Sequence, residues 1–294
     1  MGLNEYKEDL IVRYNHILNK RVTFKQKTAF IRSLMMEFKD VDTDIKVVEV
    51  REKGKKTSLA RNVYVGDVKK ADVIISTYYD SPLMHLGPYY LLDKNKQRNA
   101  TLYLNLILSL GMLLVGALFT MFVTNKHLKS GAENFSWPTF IIFGLVYVSF
   151  IYLIGLFAKG IGRRRNTIRN NATVIYMIYK IMSSQLNKKV AFAFLDSGVT
   201  NERGLYALQE SAKRNAKIIY LDAIASSETL YCMHHSEIQE LLTYDNFESS
   251  GLYRIFSAAK KGDEYYLTQE MLNHKEESTK HINVVDRLIN RMIK

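Results

Sequence analysis

The sequence has few of the residues that mark secreted or loop-rich proteins. Among 294 residues there is one cysteine, Cys232, and there are three prolines. A single cysteine excludes an internal disulfide and favours a reducing compartment. The first 30 residues carry charges throughout, so a secretory signal peptide is not expected there. No Pro-rich linker, low-complexity tract or internal repeat divides the chain, and we expect one main folded domain.

Charge is missing from two long stretches. Residues 102–124 have no charged side chain, and neither have residues 139–158. About 20 apolar residues are needed to cross the hydrocarbon core of a membrane. One such stretch could be a buried helix of a soluble protein, but two with polar flanks and a short connection favour a transmembrane hairpin. We therefore predict that residues 99–159 form a two-helix hairpin inserted between residues 1–98 and 160–294.

Basic residues flank these stretches unequally. Three precede the first stretch and five follow the second, whereas the connection holds two. Because basic residues prefer the cytoplasmic side, we predict a two-pass cell-membrane protein with both termini and the folded domain in the cytoplasm. Trp137 would then lie at the outer interface. The net charge of +12 fits contact with an anionic membrane surface, and without a nucleic-acid motif we expect no nucleic-acid partner.

Outside the hairpin, strand patterns alternate with helix patterns. Apolar runs predict strands at residues 45–51, 59–65, 71–77, 189–195 and 217–221. Amphipathic patterns predict helices at residues 5–19, 23–38, 172–184, 204–214, 236–243 and 284–294, with Thr23 as the cap of the second. This alternation predicts an α/β fold with a mixed, mostly parallel central sheet flanked by helices.

Five short motifs resemble, in the same order, those of one enzyme family. They are YYDSP at 78–82, RNNAT at 169–173, VAFAFLD at 190–196, IIYLDAI at 218–224 and HKEEST at 274–279. The family is that of zinc aminopeptidases of the aminopeptidase Y and bacterial leucyl aminopeptidase type, which also contains glutaminyl cyclase and non-catalytic relatives. The resemblance covers the chain except for residues 83–168, and it implies this family's fold with the hairpin as an insertion.

The resemblance also implies that the zinc chemistry of this family has been lost. The family holds two zinc ions with a histidine, a bridging aspartate, a glutamate, an aspartate and a second histidine, while a further glutamate is the general base. The matching positions here are Tyr78, Asn170, Val199, Asp222 and His274 for the ligands and Gly198 for the base. Asp80 matches the family's orienting aspartate. Each zinc would keep one side-chain ligand where a catalytic site needs three, so we expect no bound metal or other cofactor and no catalytic residue.

Two functions of different classes remain open. In the first, the chain is a degenerate, membrane-tethered aminopeptidase-like protein that binds or assembles a membrane protein or peptide. In the second, it is a peptidase or peptide-modifying enzyme with an altered or metal-free site around Asp80, Asp222 and His274. The hairpin separates the motif at Tyr78 from the one at Asn170, and both line the family's pocket, so we expect that pocket to face the membrane.

Other candidate sites have weaker patterns. Cys232, His234 and His235 offer three ligand-type groups, but neighbouring histidines after a strand are usually ordinary surface residues, so metal binding there is not expected. Glu276 and Glu277 are expected to be solvated carboxylates.

Overall fold

The computed structural model describes residues 3–51, 58–130, 137–183, 189–244, 247–274 and 277–293. The chain divides into two compact units. The first, which we name the sheet unit, consists of Met1–Pro82, Pro88–Lys94 and Gly162–Lys294. The second, the hairpin unit, consists of Leu83–Gly87 and Asn95–Ile161. Glu276 lies outside the described residues.

An eight-stranded mixed sheet is the centre of the sheet unit. The strands of the chain are β1 Ile45–Arg51, β2 Ser58–Val65, β3 Val73–Tyr78, β4 Tyr89–Tyr90, β5 Val190–Leu195, β6 Lys217–Asp222, β7 Leu230–His234, β8 Glu237–Glu240, β9 Gly251–Ser257, β10 Ala259–Lys261 and β11 Glu264–Leu267. The large sheet has the order β1-β2-β5-β3-β6-β9-β7-β8, and a small one has the order β10-β11-β4. The four central strands of the large sheet, β5, β3, β6 and β9, run parallel, and antiparallel strands extend this sheet on both sides. The predicted α/β class with a mixed sheet is confirmed.

Helices cover both faces of this sheet. The α-helices of the described residues are α1 Leu3–Ile11, α2 Phe24–Glu37, α3 Lys94–Ser130, α4 Trp137–Lys159, α5 Ala172–Ser183, α6 Arg203–Ser211, α7 Gln269–Asn273 and α8 Thr279–Ile293, and π-helical turns lie at Val12–Ile17 and Thr167–Asn171. Successive strand residues point to opposite faces, so Ile75 packs in the core with α1, α2, α5 and α8, while Ile74 packs in the core with α6. Thr23 caps α2 as predicted, through a capping box with Gln26.

The predicted helix at 236–243 is wrong. His235 and Ser236 have φ of 47° and 70°, and positive φ at two central positions is typical of a type I′ hairpin turn. The chain therefore reverses here, and β8 pairs antiparallel with β7 before a 3-10 turn at Leu241–Thr243. Pairing with a neighbouring strand outweighs the local helix propensity of these residues.

The hairpin unit contains two helices that are long and apolar enough to span a membrane. Their candidate spans are Lys94–Asn125 and Ile141–Lys159, with mean hydropathies of 2.5 and 2.4 and none of the apolar window buried. The Phe119 ring lies 6.2 Å from the Tyr147 ring and 5.9 Å from the Phe150 ring, so α3 and α4 pack against each other. Insertion in a membrane and its orientation stay predictions.

Candidate functional site

The sheet brings five predicted site residues to one edge. Tyr78 ends β3 and Asp80 follows it, Gly198 and Val199 follow β5, and Asp222 ends β6. These three strands are neighbours and run parallel. Carboxyl ends of parallel strands meet at the same edge of a sheet, where α/β proteins commonly bind ligands. Three of the five sequence motifs therefore contribute residues to this edge of the sheet.

A buried ion pair occupies the centre of this edge. Arg169 Nη1 donates to Asp222 Oδ1, and both side chains are 0% exposed. Tyr78 Oη lies 2.9 Å from the same carboxylate oxygen. Tyr89 Oη lies 3.1 Å from Arg169 Nη2, and the guanidinium carbon lies 4.2 Å from the centre of the Tyr89 ring. Asp222 is thus bound to a cation and a phenol, and we name these four residues the ion-pair cluster.

The electrostatics of this cluster follow from its burial. Burial lowers the pKa of the Arg169 guanidinium, and the negative charge of Asp222 opposes this effect. Burial also raises the pKa of Tyr89 well above its usual value, so the phenol stays neutral. A buried charge is tolerated when an opposite charge and hydrogen bonds compensate for its lost hydration. Arg169 is thus an internal cation beside a position that the resemblance matches to a zinc ligand.

Asp80 and Asn170 hold the surrounding loops. Asp80 Oδ1 accepts the Gly198 N–H at 2.8 Å, and Oδ2 accepts the Val199 N–H at 3.2 Å. Burial raises the pKa of Asp80 to about 6, although Lys27 and these two N–H groups oppose the shift. Asn170 Nδ2 donates to the Asp80 carbonyl at 2.7 Å. Both side chains therefore have contacts that fix the backbone.

Arg21 was not found by the sequence analysis. It is fully buried, donates from Nη1 to the Leu18 carbonyl at 2.7 Å and from Nη2 to Asn171 Oδ1. Its Nε donates to the Tyr79 carbonyl. Burial lowers its pKa to about 10, and Asp80 opposes that shift. An isolated arginine before a helix cap has no periodicity or motif, so no sequence signal pointed to it.

Tyr78 fills the space next to Gly198. A Cβ added at Gly198 would lie 2.2 Å from Tyr78 Cβ and 2.4 Å from Tyr78 Cγ, and real Cβ contacts under 3.0 Å essentially never occur. The first atom of any side chain at position 198 would therefore overlap the first atom of the tyrosine side chain. The packing of Tyr78 therefore leaves no space for a side chain at position 198.

These positions do not fit the family's two-zinc centre. Asp222 is paired with Arg169, and Gly198 and Val199 have no ligand atom. The second oxygen of Asp222, Oδ2, has no hydrogen-bond partner among the described residues, but the adjacent guanidinium would repel a metal cation. His274 is exposed at the end of α7. We therefore derive no zinc chemistry from this edge of the sheet.

One different group of ligand-type residues converges elsewhere. Within the part of the chain that the structure describes, His234, His235 and Glu248 are the one set of three His, Cys, Asp or Glu residues whose ligand atoms all lie within 4.8 Å of one another. Cys232 is not part of it: this residue lies in the core, and burial raises its thiol pKa to about 12. The sequence analysis considered the two histidines with Cys232, whereas the structure places them with Glu248.

Comparisons with known proteins identify the fold. No family model matches the sequence, and no curated protein matches it. A Zn-dependent exopeptidase from Parabacteroides distasonis matches 99% of this chain and 96% of its own, with a TM-score of 0.52 and 9% identity. The Porphyromonas gingivalis glutaminyl cyclase matches 99% of this chain and 97% of its own, with a TM-score of 0.51 and 8% identity.

A third solved structure agrees with these two. The Bacteroides thetaiotaomicron glutaminyl cyclase bound to N-acetylhistamine matches 99% of this chain and 96% of its own, with a TM-score of 0.50 and 9% identity. Identities this low are informative about the fold alone. The fold implied by the motif resemblance is confirmed: the chain has the fold shared by bacterial Zn-dependent exopeptidases and glutaminyl cyclases.

Proposed function

We propose that this chain is a catalytically degenerate protein of the zinc-exopeptidase fold, anchored in a membrane, that binds or assembles a membrane protein or peptide. The observation that carries the proposal is the ion-pair cluster at the carboxyl edge of the sheet. Arg169 and Asp222 compensate each other's charge without solvent. A catalytic carboxylate must instead remain available to a metal, a proton or a substrate.

The residues that differ from the family's motif at this edge also contact one another. Tyr78 donates a hydrogen bond to Asp222 and packs where a side chain at Gly198 would begin. Asp80 remains, with its carboxylate bound to two backbone N–H groups. Retention of the scaffold together with replacement of the chemistry is what a binding protein derived from an enzyme fold requires.

The membrane part of the proposal rests on α3 and α4. Large apolar side chains along both helices are exposed, including Leu114 at 62% and Ile151 at 70%. The chain first leaves the sheet unit after Pro82, two residues beyond Asp80, and last returns at Gly162, seven residues before Arg169. The hairpin is therefore inserted in the sequence between two residues of the candidate site, Asp80 and Arg169. The basic residues that flank the spans suit contact with an anionic leaflet.

The competing hypothesis is an enzyme that acts on peptides through Asp80, Asp222 and His274. It requires these groups to act on one substrate. Asp222 is committed to Arg169 and Asp80 to the backbone, whereas His274 is exposed. We therefore treat this hypothesis as an outcome of the test rather than as a second proposal.

The first experiment tests the loss of catalysis. The full chain, purified without a tag in detergent, is assayed with aminoacyl nitroanilides and with peptides that begin with glutamine, with and without added Zn²⁺. We expect no turnover above that of buffer, and no difference between the wild type and His274→Ala. Turnover that His274→Ala abolishes would contradict the proposal and favour the enzyme.

The second experiment tests the binding role in native membranes. A photo-crosslinking amino acid is placed at Leu114, at Ile151 or at Thr200, an exposed residue in the loop after β5. Exposed Lys70 serves as the matched control position. We expect a discrete protein adduct from at least one of the three test positions and none from Lys70. Adducts with lipid alone at the helix positions, together with no adduct at Thr200, would refute the binding role.

A further inference from the structure

Three side chains with metal-binding atoms meet near the edge of the large sheet, away from the positions matched to the family's zinc centre. His234 ends β7, His235 is in the turn to β8, and Glu248 precedes β9. Their ligand atoms lie within 4.8 Å of one another. Glu248 is distant in sequence from the histidines, so the group becomes visible only in the fold.

The orientation of the His234 ring leaves one nitrogen without a partner. Nδ1 lies 3.1 Å from the Leu252 carbonyl oxygen, which can only accept, so Nδ1 carries the hydrogen. In the neutral ring, Nε2 then presents a lone pair. His234 is 7% exposed, and Nε2 has no hydrogen-bond partner among the described residues. A carbonyl bond to one ring nitrogen is the usual way in which proteins orient a metal-binding histidine.

The buried nitrogen faces a carboxylate. His234 Nε2 lies 3.6 Å from Glu248 Oε2. With the neutral ring, two lone pairs oppose each other across this distance, and a cation between them would remove the repulsion. That cation is either a proton on Nε2 or a metal ion. A second histidine within reach favours the metal, because imidazole and carboxylate together are a common ligand set for divalent transition metals.

One tyrosine contacts both the His234 ring and the main chain of Glu248. The Tyr253 ring stacks on the His234 ring, with centres 4.0 Å apart and planes 9° apart. Tyr253 Oη accepts the Glu248 N–H at 2.7 Å. At Gly251, φ is +107° and an added Cβ would lie 2.7 Å from His234 Cε1. The absence of a side chain at Gly251 therefore leaves room for the imidazole. Tyr253 links the His234 ring to the Glu248 main chain through one stacking contact and one hydrogen bond.

The remaining ligands can adjust. The His235 ring centre lies 3.9 Å from that of His234, and His235 and Glu248 are both exposed. Two ligands of a tetrahedral zinc lie about 3.4 Å apart, close to the present His234–Glu248 distance. The ligand atoms of His235 and Glu248 already lie within 4.8 Å of the others, and exposed side chains can change rotamer.

We infer that His234, His235 and Glu248 form a binding site for one divalent transition metal of the zinc and cobalt class, with a fourth position for water. The metal would fasten the β7–β8 turn to the segment that leads into β9. This site is independent of the proposed function, since it uses none of the residues at the carboxyl edge of the sheet.

The test uses Co²⁺, whose visible absorption reports coordination by protein ligands. The full chain, without a histidine tag and stripped with a chelator, is titrated with Co²⁺ in detergent. We expect saturation at one Co²⁺ per chain, with displacement by Zn²⁺. His235→Ala and Glu248→Gln should each weaken binding at least about tenfold. His16→Ala and His274→Ala, which remove exposed histidines elsewhere in the chain, should leave the affinity unchanged.

Two results would overturn the inference. Absence of saturable Co²⁺ binding would show that the three side chains do not form a metal site. Binding that His274→Ala weakens, and that His235→Ala leaves intact, would place the metal at the positions matched to the family. His234→Ala is avoided because it would also remove the ring that stacks on Tyr253.

Discussion

Neutralising one member of the buried ion pair should destabilise the protein strongly. Asp222→Asn keeps the shape of the side chain and an oxygen that can accept from Tyr78, but it leaves the Arg169 charge buried and uncompensated. Breaking a buried pair in this way costs about 3–5 kcal/mol. Arg169→Met should cost a similar amount, because it leaves the Asp222 carboxylate unpaired and removes the cation from the face of the Tyr89 ring.

The double variant distinguishes this cause from a general packing defect. Arg169→Met/Asp222→Asn removes both charges, so no buried charge is left without a partner. Replacing both members of a buried pair is often close to neutral. We expect the double variant to lose at least about 2 kcal/mol less than the two single variants taken together.

Thermal unfolding of the full chain in detergent, followed by near-ultraviolet circular dichroism, measures these effects. For a chain of this size, 1 kcal/mol corresponds to about 2–4 °C in Tm, so each single variant should unfold roughly 6–20 °C lower. The matched control is Asp72→Asn, which breaks the exposed 2.6 Å pair with Lys213, whose side chains are 46% and 48% exposed. This change should cost less than about 1 kcal/mol. Equal losses for Asp72→Asn and Asp222→Asn, or additive losses in the double variant, would refute the reasoning.

Two further predictions concern Asp80 and the topology. The pKa of Asp80 is about 6 in the folded protein, against 3.8 for the ordinary side chain, so stability is lost as the pH rises from about 4 to about 6. The difference corresponds to about 3 kcal/mol in the free energy of unfolding. Urea unfolding should therefore show that the stability of Asp80→Asn relative to the wild type increases by about 3 kcal/mol between pH 4 and pH 7. A stability difference that does not change with pH would contradict this. Cysteine at Ser130 should react with an impermeant thiol reagent in intact cells, whereas cysteine at exposed Lys70 should react only after lysis; the reverse pattern would overturn the orientation. Cys232 cannot be the internal control, because burial and its raised pKa make it unreactive on either side.

The strands at the centre of the fold could be predicted because each is a continuous apolar run in the sequence. Residues 189–195 and 217–221 were predicted as strands, and the structure has Val190–Leu195 and Lys217–Asp222. Both are almost continuous apolar runs, as expected for parallel strands covered on two faces. Tyr78 and Asp222 lie at one edge because β3 and β6 are parallel neighbours, and parallel strands place their carboxyl ends together.

Features that depend on distant partners could not be predicted. Arg21 contacts Asn171, 150 positions away, and nothing in its neighbours signals burial. β8 contains residues that favour a helix, but pairing with β7 and a turn with positive φ decide its conformation. Glu248 meets His234 only because β9 lies beside β7 in the sheet.

The contact between Tyr78 and Gly198 limits which side chains this backbone can accept at the two positions. The resemblance places a histidine and a glutamate at these two positions, and each has a Cβ. In the present backbone those two carbons would stand 2.2 Å apart, so exchanging both side chains would not rebuild a zinc centre. Side chains at both positions would require the main chain after β5 to withdraw from β3, and Asp80 holds that segment in place through the amides of Gly198 and Val199. Point substitutions at positions 78 and 198 therefore cannot place a histidine and a glutamate together unless the main chain also moves.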